Sequence, residues 1–388
     1  MKMRKRKEIL WSVGFILFGF VLAFILGEVC LRVIYPNNIK LYKPDPVLGW
    51  KQIPNARGWI SSPGEYRTWV EINSKGLRDK EYDYRSRYGV FRILVLGDSF
   101  AQAVQVPLEE AFHSILEQRL NSSKKPFNFE VINAGVGGYN TELELLLLKE
   151  EGFRYQPNIV LLTFLLANDT LDNYKDTTYG NIPRTRFKLE NGRLVEVPVL
   201  RKFAETDSQN VNFKSKYFNS ALIGQFVGRL KALPIVAKAA GWIMKPLPPR
   251  MNEIYKPVYT PETEAAWALT EALIVEMEME VRNHGAKLIV LIWPDNVQFD
   301  DVWWARRVAA YPAMANYDRD KGERVMTEIL NRNGISFISL TPILRKATEE
   351  RLGKLFFPVD QHPTAKAHAI VGEAIYQYLQ RSDILFRQ

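Results

Sequence analysis

Three hydrophobic patterns run along this chain, and each predicts a different element. The first is an unbroken apolar stretch: residues 9–27 carry no charge over 19 positions. As a helix rising about 1.5 Å per residue, that stretch matches the roughly 30 Å hydrocarbon core of a bilayer. The second pattern is a short aliphatic run closed by a turn signal, the mark of a strand buried in a parallel sheet. Residues 92–97, 129–132, 157–164, 287–293 and 335–340 read this way. The third is helical spacing, as in Phe112, Ile115, Leu116 and Leu120 within residues 108–120. It recurs in the leucine-rich stretch after Asn140, in 262–284, in 318–333 and from Thr364, a helix-capping residue, to about 379.

Strands that alternate with helices predict an α/β fold: a doubly wound, five-stranded parallel sheet between two helical layers, α/β/α. Two segments interrupt the alternation. Residues 35–88, punctuated by proline and glycine with a strand signal at 68–72, read as a spacer that packs on the domain and lifts it off a membrane. Residues 174–260 read as an insertion, with a hairpin at 187–197 around Asn191-Gly192 and an amphipathic helix at 221–233. The expected organisation is a basic tail at 1–8, an anchor at 9–27, a linker and extension at 28–90, and the α/β domain at 91–388 with its insertion.

Charge changes this picture at one end only. The net charge is +9, but Lys2, Arg4, Lys5, Arg6 and Lys7 precede the apolar run, and the remainder has no basic stripe or nucleic-acid motif. Basic residues before a spanning helix favour a cytoplasmic N-terminus, which puts everything after about Arg32 outside. In a bacterium that is the inner membrane, single-pass, with a periplasmic or extracellular domain. A cleaved signal peptide fits less well, because its apolar region is usually about 7 to 15 residues. The single cysteine, Cys30, excludes an intramolecular disulfide.

Candidate chemistry gathers at the strand ends. Ser99 follows the first strand, in Gly97-Asp98-Ser99-Phe100. Asp360 and His362 lie two apart in a late loop, where an extended backbone would point both side chains the same way. Gly138 offers a backbone N–H in a turn without a side chain, and Asn168 offers an amide after the third strand. A nucleophilic hydroxyl, an imidazole base, an orienting carboxylate and oxyanion donors are the parts of serine-dependent acyl transfer. No cofactor is expected: Gly135-x-Gly137 lacks the G-x-G-x-x-G spacing of a dinucleotide site, and four histidines without paired ligand spacing do not make a metal site. His113, His284 and His368 sit on predicted helices and read as structural. Trp293, Trp303 and Trp304, with Arg306 and Arg307, read either as a sugar platform or as core and rim packing.

These blocks, Gly97-Asp98-Ser99, Asn133 through Gly138, Asn168-Asp169 and Asp360-x-His362-Pro363, stand in the order found in the SGNH hydrolases, the GDSL esterase and lipase superfamily. The chain resembles that family, in its bacterial membrane-anchored form, from about Arg92 to Gln380. The resemblance implies a flavodoxin-like sheet with Ser99 as nucleophile and His362 as base. It also implies Asp360 as orienting acid, and Gly138, Asn168 and the Ser99 N–H as oxyanion donors. Three departures stand out: phenylalanine follows the serine, Leu166-Ala167 precede the asparagine, and one residue separates Asp360 from His362. The last resembles members that modify cell-envelope carbohydrate. The expected function is an esterase acting on acyl, most simply O-acetyl, esters of envelope or extracellular carbohydrate. A polysaccharide O-acetyltransferase, a non-catalytic protein with polysaccharide-assembly partners, and a lipid or thioester hydrolase are the alternatives.

Overall fold

Ile93, Leu94, Val95 and Leu96 have nowhere to go but inward, since alternate residues of a strand face opposite ways and all four are aliphatic. The computed structural model, which describes residues 2–34, 38–62, 64–122, 127–166, 168–174, 182–198 and 250–382, places them on an inner strand of the sheet. In chain order the elements begin with helix α1 (Lys2–Ile34) and two antiparallel hairpins, β1 (Tyr42–Asp45) with β2 (Gly49–Gln52) and β3 (Arg57–Ser62) with β4 (Tyr66–Glu71). There follow β5 (Val90–Gly97), α2 (Ser99–Gln102), α3 (Phe112–Ser122), β6 (Asn128–Asn133), α4 (Thr141–Glu150), β7 (Ile159–Leu165) and α5 (Asp169–Tyr174). The hairpin β8 (Arg186–Glu190) and β9 (Arg193–Val197) stands where Asn191-Gly192 predicted one; the expected helix at 221–233 lies outside the described residues. The chain resumes with α6 (Pro261–Asn283), β10 (Lys287–Trp293), α7 (Asn296–Phe299), α8 (Asp301–Ala310), α9 (Lys321–Arg332), β11 (Ser336–Ser339), α10 (Thr341–Glu349) and α11 (Ala365–Arg381).

The five-stranded sheet has the order β11-β10-β7-β5-β6, parallel throughout. Numbered along the chain this is 5-4-3-1-2, the flavodoxin-like order, whose switch point lies between the first and third strands, beside Ser99. Leu94, Leu96, Val160, Leu162, Val290 and Ile292 face one way, onto Leu143 and Leu146 of α4, Leu273 and Met277 of α6 and Ile329 of α9. Ile93, Val95, Leu161, Ile289 and Leu291 face the other, onto Phe112 and Leu116 of α3, Leu344 of α10 and Val371 and Ile375 of α11. Each such side chain contributes about 1.5–3 kcal/mol on burial, and the two layers are why the strand runs show no polar alternation.

The segment read as a spacer does pack on the sheet domain, but it does more than space. Trp50 is buried and donates from Nε1 to the Gly137 carbonyl at 3.1 Å, while Tyr139 donates its hydroxyl to the Trp50 carbonyl at 2.6 Å. Leu48, Leu77 and Tyr82 join the larger core. The described side chains of α1 are a contrast: Trp11, Phe15, Phe18 and Phe20 are 65–72 % exposed. Among the described residues, no helix is long and apolar enough to cross a membrane, so the spanning role expected of 9–27 is not shown by the structure.

Candidate active site

The strand β5 ends because Gly97 fits where no other residue does: a Cβ there would overlap the Thr163 side chain on the neighbouring strand. Thr163 Oγ1 donates to the Leu96 carbonyl at 2.9 Å. Asp98 then caps the single turn of α2, its carboxylate accepting the Phe100 N–H at 2.8 Å. Ser99 is left half-buried at the C-terminal edge of the sheet, as the first residue of α2 just past β5.

Across from it, the loop before α11 brings in the imidazole. His362 Nε2 lies 2.8 Å from Ser99 Oγ, and its Nδ1 lies 2.6 Å from Asp360 Oδ1. Nδ1 hydrogen-bonds the Asp360 backbone carbonyl at 3.1 Å, with the carboxylate oxygen close beside it; a proton held on Nδ1 by these two oxygens leaves Nε2 as the acceptor for the serine hydroxyl. The contact is made differently from the extended geometry expected. Gln361 between the two adopts φ 63°, a left-handed turn, and Gln361 N donates to the Phe357 carbonyl at 2.9 Å. A tight turn with Asp360 and His362 on one side replaces a strand-like i, i+2 pair. The ring of His362 also packs against Phe100, centroids 5.3 Å apart.

The other two expected residues follow the strands on either side of β5. Gly138 sits in the turn after β6 with φ 79°, the left-handed region that favours glycine. That turn is pressed onto α2: Asn133 accepts the Gly135 N–H at 2.9 Å and donates to the Ala101 carbonyl at 2.9 Å. Asn168 follows β7, on the other side of Ser99. It starts α5 by accepting the Asp172 N–H at 2.8 Å on its carbonyl, and its half-exposed side-chain amide makes no hydrogen bond to another described residue. The sheet order thus sets one candidate donor on each side of the serine.

Electrostatics around the imidazole favour its charged form. Burial works against the imidazolium, but the Asp360 carboxylate, by contact and by charge, outweighs it and Asp98 adds to it, so the His362 pKa is raised above the ordinary 6.5. Asp360 is held below the usual carboxylate range: burial would raise it, and His362, Tyr66 and Gln105 together lower it. Burial pushes Asp98 up to about 6, against the Phe100 amide and the His362 charge. Nearby, Glu144 and Asp169 are fully buried, and burial drives both well upward, with the charge of Asp98 adding for each and that of Glu144 adding for Asp169. Asp169 accepts the Leu165 N–H at 2.7 Å, closing the turn that carries Asn168. The glutamates in Thr141-Glu-Leu-Glu-Leu were a visible signal for this, since an acid inside a leucine run is burdened by burial.

Other expected chemistry falls elsewhere. His368 is fully buried, stacks on Phe112 and is driven down to about 3, chiefly by burial, so it stays neutral and structural. His113 is likewise buried and held well below 6.5 by burial and by Arg78, and His284 lies on the surface, stacked on Phe153. The sugar-platform reading of the tryptophans is corrected: Trp293 ends β10 inside the core, packed on Phe100 and Phe112. Trp303 and Trp304 lean on the core from α8, and Arg307 donates to Asn252 at 2.9 Å. Among the described residues no group of His, Cys, Asp and Glu is arranged to hold a metal ion.

Sequence reasoning missed Arg78 and Asp79. The buried Arg78 guanidinium donates to the Gln102 and Val106 carbonyls at 3.1 and 2.5 Å, tying down the loop that follows Ser99. Asp79 accepts the Asn133 N–H at 2.8 Å. An Arg-Asp pair in an irregular segment carries no periodic signal that would have singled it out.

No family model matches the sequence, and no curated protein does. Solved structures similar to it include TesA, at 13% identity over 74% of this chain and 98% of that one, with a TM-score of 0.37. Two more are the acetyl xylan esterase AlAXEase (10%; 74% and 100%; 0.41) and a catalytic mutant of Axe2, an acetylxylan esterase from Geobacillus stearothermophilus (12%; 76% and 95%; 0.37). At these identities and scores the likeness is loose, and the functional conclusion stands instead on the contacts among Ser99, His362 and Asp360.

Proposed function

We propose that this protein is an ester-acting hydrolase of the SGNH type, with Ser99 as nucleophile, His362 as base and Asp360 as the acid that orients it. The observation that carries the reading is the pair of contacts on one imidazole, 2.8 Å to Ser99 Oγ and 2.6 Å to Asp360 Oδ1. As Oγ attacks the ester carbonyl, its proton passes to His362 Nε2, and the negative charge forming on the carbonyl oxygen is met by N–H donors. We assign those donors to Ser99 N–H, Gly138 N–H and the Asn168 amide. His362 then gives the proton to the leaving alcohol, which departs and leaves an acyl-serine. Water, deprotonated by His362, adds to the acyl carbon; the carboxylic acid leaves and Oγ regains its proton.

Removing one oxyanion donor from a serine enzyme costs about 3 kcal/mol, a hundredfold or more in kcat. Asn168→Ala is expected to lower kcat by that factor while KM changes little. A kcat within threefold of wild type removes Asn168 from the assignment.

The substrate class we propose is an acyl ester, in the first instance an O-acetyl ester, of cell-envelope or extracellular carbohydrate. Support comes from the one-residue Asp360-x-His362 spacing, which resembles carbohydrate-modifying members, and from the apolar N-terminal helix. Hydrolysis and transfer to a sugar hydroxyl share every step up to the acyl-serine, and differ in whether water or the glycan enters next. The test is acetate release from an O-acetylated glycan, with and without an unacetylated oligosaccharide acceptor. Hydrolysis gives free acetate in both; acetyl appearing on the acceptor at the expense of acetate supports the transferase reading.

We further propose that α1 anchors the protein in the bacterial inner membrane, with Ser99 on the outer side. Support comes from the uncharged run 9–27, the basic residues before it and the exposure of its described apolar side chains. The full chain is expected to resist extraction by carbonate and to yield to detergent, and release by carbonate alone would refute the anchor.

A further inference from the structure

We propose that the β3–β4 hairpin clamps the loop bearing Asp360 and His362, with Tyr66 and Glu65 as positioning residues for Asp360. The inference rests on the serine-hydrolase reading above and extends the site to a segment that no motif includes. The Asp360 carboxylate is held on each oxygen by a different side chain, with Gln105 also beside it. Oδ1 contacts His362 Nδ1, and Oδ2 accepts the Tyr66 hydroxyl at 2.9 Å. A carboxylate held at both oxygens cannot rotate about its terminal bond without giving up one contact. Tyr66 is suited to be a permanent donor: burial, then the charge and hydrogen bond of Asp360, push its own pKa far above 10.

Glu65 holds the backbone of the same loop. Its Oε1 accepts the Val359 N–H at 2.7 Å and its Oε2 accepts the Asp360 N–H at 2.9 Å, so one carboxylate spans two successive amides. Ser62 Oγ donates to Oε2 at 2.9 Å and fixes the carboxylate from the hairpin side. The Tyr66 ring lies 5.0 Å from that of Phe357, where the loop begins. The loop needs such support. Pro358, Val359 and Gln361 are exposed, and its own backbone ties are Phe357 N–H to the His362 carbonyl, Gln361 N–H to the Phe357 carbonyl and the isolated bridge between Phe356 and Pro363.

The hairpin is also fixed to the other half of the site. Alternate residues of β4 share a face, and two places along from Tyr66 the Thr68 hydroxyl donates to the Gln105 carbonyl at 2.9 Å, in the loop that follows Ser99. Ile60 and Val70 of the hairpin pack with Val104 of that same loop. One two-stranded element therefore sets the loop of the base against the loop of the nucleophile. The distance between Nε2 and Oγ depends on both.

The test is Tyr66→Phe in the full-length protein, which keeps the ring on Phe357 and removes only the hydroxyl. We expect kcat to fall about tenfold with KM nearly unchanged, since a hydrogen bond to a charged group is lost without contact to substrate. Once Asp360 is free to turn from Nδ1, burial dominates and the His362 pKa falls. The acid limb of the kcat/KM profile should then move to lower pH while the plateau drops. Glu65→Ala should shift the limb in the same sense, and Glu65→Gln, which still accepts one of the two amides, should shift it less. A Tyr66→Phe enzyme with a wild-type limb overturns the proposal even if its plateau is low, because a purely structural loss reduces active protein without moving a titration. Fluorophosphonate labelling of wild-type Ser99, run in parallel, separates the two failures. If wild type labels and the variant's limb is unmoved, the clamp alone is wrong; if wild type does not label, the hydrolase reading fails and the clamp with it.

Discussion

Ser99→Ala is expected to reduce ester turnover by about 10⁴- to 10⁶-fold, to whatever the remaining donors and binding supply. Without Oγ the imidazole has no hydroxyl to deprotonate, and no acyl-enzyme forms. The effect should be confined to chemistry. The side chain is half-buried and its partner is His362, so the change leaves the core layers untouched and should alter stability by less than about 1 kcal/mol. Initial rates on p-nitrophenyl acetate, paired with a thermal melt, check both halves. A variant that melts like wild type and keeps a tenth of its activity contradicts the assignment.

Asp360→Asn is expected to be nearly as severe, about 10⁴-fold in kcat, by analogy with the loss of the orienting acid in other serine triads. The amide has nearly the shape of the carboxylate, but it carries no charge and can present N–H to Nδ1. The tautomer with its proton on Nε2 would then be favoured, and it cannot accept from Ser99. The pH profile should move as well. In wild type the His362 pKa is raised, so activity should climb with pH through a value above 6.5 and then level off. The stability that the Asp360–His362 pair contributes is fully present below about 6.5 and is lost as pH rises through the folded-state pKa of the histidine. Asp360, whose pKa is lowered, contributes above about 3.9 and loses that contribution as pH falls. In Asp360→Asn the carboxylate is gone, burial of the ring is left as the main influence, and the residual activity should titrate below the wild-type limb. Rates from pH 5 to 9 on both proteins measure this, and coincident limbs would show that Asp360 does not govern His362.

Much of the sheet could be read from the chain because its signals are local. Lys287 to Trp293 forms the strand expected of it to the residue, and the helix of 262–284 appears as Pro261–Asn283. Ser99, His362 and Asp360 also do meet as expected, although a left-handed Gln361 rather than an extended segment brings the last two together. What could not be read depends on contacts between distant parts of the chain. Tyr66 reaches Asp360 across 294 positions, and nothing in the short, irregular strands of 35–88 marks one tyrosine as facing a loop near the other terminus. Spacing left Trp293 open between a sugar platform and core packing, and its position as the last residue of an inner strand decides for the core. Burial of Glu144 could be suspected from its place in a leucine run, but its neighbourhood with Asp98 and Asp169 arises only from the sheet order.

The central claim is that His362 activates Ser99, and the most direct measurement is covalent capture of that hydroxyl. A fluorophosphonate reacted with the folded, full-length protein and mapped by peptide mass spectrometry is expected to modify Ser99 alone, faster as pH rises through the His362 titration. Ester hydrolysis that continues with Ser99 unmodified, or an adduct on a different residue, would contradict it.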